Sequence, residues 1–239
     1  MRGDWTVVRA AIEAAVQLAA DLPISANFRY LLLPMELLYV TDPMCSWCWG
    51  FAKTIRLIRG RLAPEVSLRL VMGGLAKDSD EPMPAATRTM VQGAWDAVEA
   101  ASGARFNRDF WKKCTPRRST WPACRAVLAA KRTDPDRTFA YFEAMQRAYY
   151  LEARNPSDRE VAIAVAKEQA LDQEVFRAYL TSEAVEADLA SDLAQCTELG
   201  ARGFPSLYLV EASMPRTITR GWQRFEALEE TLQALRLIV

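Results

Sequence analysis

Cys45-Ser46-Trp47-Cys48 follows directly on the apolar run Leu37-Leu38-Tyr39-Val40-Thr41 and the turn-forming Asp42-Pro43. That order predicts a strand that ends, and a helix that begins, at a C-x-x-C. Two cysteines three residues apart in a first helical turn share a face and can close a small disulfide ring. The leading cysteine then sits among backbone N–H groups without intrahelical partners, at the positive end of the helix dipole. Such a position favours the thiolate, the species that attacks disulfides. A catalytic thiol at Cys45 is the resulting expectation.

Composition removes most other chemistries. The 239 residues suffice for one large core, or for a core with an inserted subdomain. Lys and Arg total 30 and Asp and Glu total 30, so no basic surplus points to nucleic acid. The chain has no histidine, which excludes Ser-His-Asp and Cys-His catalysis and every imidazole metal ligand. With neither histidine nor a second C-x-x-C, no zinc site is expected. Five cysteines are too few for a disulfide-stapled secreted scaffold. No run of about 18 uncharged apolar residues is present, so no membrane span is expected.

Residues 1–34 carry no motif. Val8, Ile12, Val16 and Leu18 fall near helical spacing, but Arg9, Glu13 and Asp21 interrupt what would be a signal-peptide core. The expectation is an amphipathic N-terminal extension, or one lying upstream of a start at Met35, in a cytoplasmic protein where C-x-x-C pairs are catalytic more often than structural.

From Met35 the pattern becomes regular. Glu36 to Thr41 reads as a buried strand and Cys45 to about Arg61 as a helix with Phe51, Ile55 and Ile58 on one side. Val66 to Met72 alternates as a strand and stops at Gly73-Gly74. Strand, helix, strand with short connections predicts a parallel βαβ unit. Pro82 to Gly200 reads as helical throughout, with different apolar stripes and no fixed period. Within it, Thr120 with Pro122 opens one helix. Ser157 to Glu160 reads as a capping box opening another, and Gly200 closes the last. Leu207 to Val210, a turn through Met214-Pro215, and Thr217-Ile218-Thr219 predict a hairpin. A final helix places Phe225, Leu228, Leu232 and Leu235 inward.

The segments Asp42-Pro43-Met44-Cys45-Ser46-Trp47-Cys48-Trp49-Gly50-Phe51 and Gly203-Phe204-Pro205-Ser206 resemble the DsbA-like thioredoxin family, and within it the FrnE-type dithiol-disulfide oxidoreductases. The resemblance covers about Met35 to Leu237. It implies an α/β thioredoxin fold (β-α-β … β-β-α) formed by residues 35–80 and 198–239, with a large all-helical insertion at 81–197. It also implies a cis Pro205 against the active-site disulfide, with Phe204, Ser46 and Trp47 facing substrate. DsbA carries Pro-His between its cysteines; here Ser46-Trp47 fills that gap, so a less oxidising couple is expected. No organic cofactor or metal is implied, with glutathione as a candidate thiol partner beside disulfide- or dithiol-containing proteins.

The other cysteines divide by setting. Cys124 and Cys196 lie on apolar helical stripes and read as small buried hydrophobes. Cys114, between Lys113 and Thr115 with Lys112 nearby, is expected to be acidified by its cations and is a candidate second redox thiol. Trp47, Trp49 and Phe51 are candidates to line a substrate groove, with core packing as the alternative for Trp47 and Phe51. Two rival functions stay open. One is a glutathione-using isomerase or transferase resembling hydroxychromene-carboxylate isomerases and kappa-class glutathione transferases. The other is a non-catalytic peptide-binding or chaperone module.

Overall fold

The computed structural model describes residues 35–239, and the expected N-terminal extension at 1–34 lies outside the described residues. Strand β1 (Met35–Thr41) is a nearly unbroken apolar run because both of its faces are covered. Leu37, Leu38, Tyr39 and Val40 are all fully buried. It pairs in parallel with β2 (Val66–Met72), from Met35 opposite Val66 to Thr41 opposite Met72. On its other side it pairs antiparallel with β3 (Ser206–Glu211), which pairs antiparallel with β4 (Met214–Arg220). The sheet order is therefore β2-β1-β3-β4, with the strand that leads to the cysteines in the interior.

Between β1 and β2 run α1 (Ser46–Gly50) and α2 (Ala52–Gly60). Seven helices separate β2 from β3: α3 (Ala85–Ser102), α4 (Phe110–Lys113), α5 (Trp121–Thr133), α6 (Thr138–Tyr150), α7 (Arg159–Glu168), α8 (Gln173–Leu180) and α9 (Glu183–Glu198). Helix α10 (Phe225–Ala234) closes the chain, burying Phe225, Leu228 and Leu232.

The inserted helices do not form a core of their own. One apolar cluster joins Leu37 and Tyr39 of β1 to Val127, Tyr141, Phe142 and Val165 of α5, α6 and α7. The other face of the sheet packs a smaller cluster of Leu38, Val40, Val71 and Tyr208 against Cys196 of α9. The alternation of β1 thus sends odd positions toward the helical layer and even positions toward α9.

Four local expectations are corrected. The helix expected over Cys45 to Arg61 is two helices meeting at Phe51, because the Gly50 carbonyl is taken by Trp222 Nε1 at 3.0 Å. Gly50 is also where α1 meets α3, since a Cβ there would come within 2.8 Å of Val98 Cγ1. The helical stretch from Pro82 to Gly200 is interrupted at 103–109, 114–120 and 151–158. Ser157 does not cap α7: Asp158 is the N-cap, while the buried Ser157 hydroxyl donates to the Ser119 carbonyl. The hairpin turn is Ala212-Ser213 rather than Met214-Pro215, with Glu211 opposite Met214 across it.

That turn holds two non-glycine residues in the left-handed region, Ala212 at φ 50° and Ser213 at φ 65°. Positive φ at both central residues suits the right-handed twist of a two-residue hairpin, but a side chain there costs about 1–2 kcal/mol. Replacing Ser213 with Gly removes that cost against a smaller entropic loss in the unfolded chain. Ser213→Gly is expected to stabilise the protein by about 0.5–1 kcal/mol, raising Tm by roughly 1–4 °C. A lower midpoint in thermal or urea unfolding would contradict this turn geometry.

Candidate active site

β1 delivers Thr41 and Asp42 to the carboxyl end of the sheet, where the chain turns through Pro43-Met44 into α1. Cys45 is the N-cap of α1, in extended conformation at φ −80° and ψ 116°, and its N–H donates to the Asp42 carbonyl at 3.1 Å. Cys48 lies one turn in and faces the core. Cys45 retains 7 % exposure and Cys48 none, and both are free thiols. Burial, then the adjacent Cys45 sulfur, pushes the Cys48 thiol well above its ordinary range, against hydrogen bonds from Thr41 and the Asp42 backbone.

Cys45 is less open than a helix-capping position alone suggests. The loop entering β3 crosses in front of it, and the Cys45 thiol donates to the Phe204 carbonyl at 3.8 Å. The Phe204–Pro205 peptide is cis, and the Pro205 carbonyl accepts from Gly221 N at 2.7 Å at the edge of the β3–β4 pair. The Phe204 ring lies so close over the end of β2 that a Cβ on Gly73 would come within 2.0 Å of it. A glycine at this position is what lets the loop descend onto the cysteine.

Cys45, Cys48, Phe204 and Pro205 therefore come together from opposite ends of the sequence. Ser46 and Trp47 are half-buried beside them. The three aromatics expected to share a groove diverge instead. Trp47 packs toward Trp222, with ring centroids 6.1 Å apart. Trp49 stacks on Tyr150 at 5.5 Å, and Phe51 is fully buried 5.8 Å from Tyr39. Positions two apart on a helix point to different sides, so the three rings cannot line one groove.

The remaining thiols are not arranged for exchange. Cys124 and Cys196 are buried, and burial pushes Cys196 up to about 12 and Cys124 well above its usual value. The expected acidification of Cys114 does not occur. Desolvation and the Asp158 carboxylate raise its pKa and outweigh Lys113, while its thiol donates to the Ala153 carbonyl at 3.3 Å. Sequence neighbours in α4 point their cations outward, so proximity along the chain did not translate into proximity in space.

The sequence reading missed what lies beneath the dithiol. Asp42 is fully buried, and its carboxylate is an acceptor for four donors. Met44 N reaches Oδ1 at 2.8 Å, while Leu75 N at 2.7 Å, the Thr120 hydroxyl at 2.7 Å and the Cys124 thiol at 3.6 Å reach Oδ2. Burial pushes the Asp42 carboxyl upward, and these donors oppose that shift. Asp42 was visible in the motif only as a turn former, and nothing along the chain links it to Thr120 or Cys124. Asp42→Asn would turn an amide N–H₂ toward donors, leaving at least one buried N–H or O–H without an acceptor. The expected loss is about 1–3 kcal/mol in urea unfolding, accompanied by slower thiol exchange as the Cys45 loop loses its anchor. Unchanged stability would show that the carboxylate is not what holds the loop.

The geometry has counterparts among known proteins. A family model described as thioredoxin matches residues 38–220. The chain is 22 % identical over 175 residues to the ClpXP adapter protein SpxH of Bacillus subtilis, covering 73 % of this chain and 58 % of that protein. It thus spans less than two thirds of the length of that curated relative. A proposed protein disulfide isomerase from Nitrosomonas europaea superposes with a TM-score of 0.77 at 27 % identity, over 84 % of this chain and 96 % of that one. The cytosolic disulfide reductase DsbM from Pseudomonas aeruginosa gives 0.71 at 25 % identity, over 84 % and 98 % respectively, and DsbM has also been solved with GSH. No helix among the described residues is long and apolar enough to cross a membrane. With the family match running from β1 through β4 and enclosing both the C-x-x-C and the loop before β3, the chain belongs to the thioredoxin family, and its solved relatives include DsbA-like disulfide oxidoreductases.

Proposed function

We propose that this protein is a thiol-disulfide oxidoreductase of the DsbA-like, FrnE-type group, acting through Cys45 and Cys48. The observation that carries the reading is the asymmetry of the pair: Cys45 caps the helix and keeps a 7 % opening beneath the Phe204 loop, while Cys48 is fully sealed behind it. A nucleophile must be reached by substrate, and a resolving thiol must wait until a mixed disulfide has formed.

In the proposed cycle the Cys45 thiolate attacks a substrate disulfide. A Cys45–substrate S–S bond forms, the substrate S–S bond breaks, and the released substrate sulfur takes up a proton. Cys48 then loses its proton and attacks the Cys45 sulfur. The Cys45–Cys48 bond forms and the second substrate thiol leaves, so two electrons and two protons have passed to substrate. Two molecules of a low-molecular thiol such as glutathione then return the pair to the dithiol by two successive exchanges and leave as their own disulfide. We assign this reductive direction because no histidine stands between the cysteines to stabilise the thiolate, and because DsbM is a cytosolic reductase solved with GSH. A cytoplasmic setting follows from the same likeness. Phe204, Pro205, Ser46 and Trp47 are the residues proposed to meet substrate, and the cycle needs neither metal nor organic cofactor. A role as a protein-binding adapter is the second reading, favoured by the likeness to SpxH.

Cys45→Ser is expected to reduce glutathione-coupled insulin reduction to below about one per cent of wild type. Cys48→Ser is expected to retain the nucleophile and accumulate stable mixed disulfides, visible by mass spectrometry. Failure of the wild-type protein to turn over, together with failure of Cys48→Ser to trap any thiol, would overturn the redox reading in favour of the adapter.

The raised pKa of Cys48 gives a second expectation. Between pH 6 and pH 8, within the Cys45–Cys48 pair of the reduced protein, iodoacetamide should alkylate Cys45 alone, with Cys114 replaced by Ser to remove its partly exposed thiol. Cys48 labelling should appear only on unfolding, because burial both blocks access and keeps that thiol protonated. Equal labelling of both thiols in the folded protein would contradict the arrangement.

A further inference from the structure

Strand β1 carries Tyr39 and Thr41 two residues apart, so both side chains leave the sheet on the face covered by the helical layer. Cys48 comes down onto that face from α1, and all three residues are fully buried. The Cys48 sulfur borders both hydroxyls, and the two hydroxyls border each other. Phe51, three residues further on, packs 5.8 Å from the Tyr39 ring and closes the space from the side. A thiol and two hydroxyls thus form one polar spot in otherwise apolar surroundings, directly beneath the exchange site.

Neither hydroxyl is put to structural use. Tyr39 Oη and Thr41 Oγ1 are shut off from solvent and complete a hydrogen bond of good geometry with no group among the described residues. A buried donor without a full acceptor is unfavourable, and Phe or Val would fill the same space without it. Such groups in a folded protein call for a reason, and an acceptor that appears only during a reaction is one. The neutral Cys48 thiol is a weak acceptor, so the dithiol state leaves both donors unsatisfied. A thiolate at the same place carries a full charge, and hydrogen bonds to it are about twice as strong as neutral ones.

Resting on the thiol-disulfide reading, we propose that Tyr39 and Thr41 are catalytic donors whose hydroxyls hold the Cys48 sulfur as a thiolate while it attacks Cys45. In that step the S–H bond of Cys48 and the Cys45–substrate S–S bond break, and the Cys45–Cys48 bond forms. The proton given up by Cys48 is balanced by the one that the departing substrate sulfur takes up, and each hydroxyl keeps its own. Donors fixed in a dry site before the charge develops need no reorganisation when it does. Cys48 is closed to water and the chain has no histidine, so these hydroxyls and the Asp42 backbone are what the buried charge meets.

The test follows the two exchanges separately in the full-length protein, with Cys114→Ser as the background. Stopped-flow reaction with excess 4,4′-dithiodipyridine releases one thiopyridone when Cys45 attacks, at a rate proportional to reagent. A second is released when Cys48 resolves the mixed disulfide, at a rate independent of reagent. Tyr39→Phe and Thr41→Val are each expected to slow the second phase about tenfold relative to the first. The pH midpoint of that phase should rise by about one unit, because a thiolate with fewer donors forms at higher pH. The Tm of both variants is expected not to fall, since each deletes an unpartnered hydroxyl; a structural role would lower Tm without separating the phases. Tyr208→Phe removes an equally unpartnered hydroxyl from the opposite face of the sheet and is expected to leave both phases unchanged. A wild-type second phase in either Tyr39→Phe or Thr41→Val would overturn the role given to that hydroxyl, and in both would overturn the proposal. Equal slowing in Tyr208→Phe would overturn it too. Absence of a second phase in the background protein itself would overturn the thiol-disulfide reading, and the proposal with it.

Discussion

A carboxylate sealed from water is the point through which the parts of this molecule communicate. Asp42 stands at the last turn of the central strand, and its two oxygens collect donors from the active-site loop, from the segment after β2 and from helix α5 of the insertion. Its own carbonyl receives the N–H of Cys45. An ionisable group in such a place is tolerated because every donor around it is aimed inward, and removal of any one leaves a buried polar atom exposed to nothing. The position of Cys45 is thus set partly by residues some eighty positions away in sequence.

The insertion is part of the scaffold that holds the cysteine pair rather than an appended module. Helix α5 contributes Thr120 and Cys124 to the Asp42 network, and Tyr150 at the end of α6 supports Trp49 beside the cysteines. Behind it Trp95 is surrounded by Phe106, Phe110, Trp111, Tyr149 and Tyr150, all within 5.9 Å between ring centroids. Such a cluster buries a large apolar area in a few rigid side chains, and it stiffens the wall against which α1 rests. Burial on that wall leaves several hydroxyl and indole donors unpartnered, including those of Tyr150 and Trp95. Apolar packing has outweighed polar satisfaction there.

The chemistry of the dithiol follows from the same division. Cys45 at the helix N-cap keeps a small opening beneath the Phe204 loop, whereas Cys48, one turn later, is carried into the core by the helical period. No additional acid or base is needed to distinguish the two sulfurs, which is consistent with a chain that contains no histidine. The loop bearing Phe204 and Pro205 supplies the opposite wall, held down by its approach to Gly73.

How much of this was readable along the chain depended on the range of each interaction. The strand before the C-x-x-C, the parallel partner at Val66 to Met72, the closing helix and the Gly-x-Pro loop all rest on patterns within about a dozen residues, and each element appears where its pattern lies. The break at Phe51, the true cap of α7 and the unacidified Cys114 are not local properties, because each is decided by parts of the chain remote in sequence: Trp222, Ser119, and the burial of Cys114 beside Asp158. By itself the sequence determined which residues form strands and helices and which two thiols stand at a helix start, because periodicity and capping are local. Only the tertiary structure decided that Asp42 would be enclosed and that Phe204 would cover Cys45. Burial and electrostatic environment are properties of the packed whole, and no short stretch of sequence contains them.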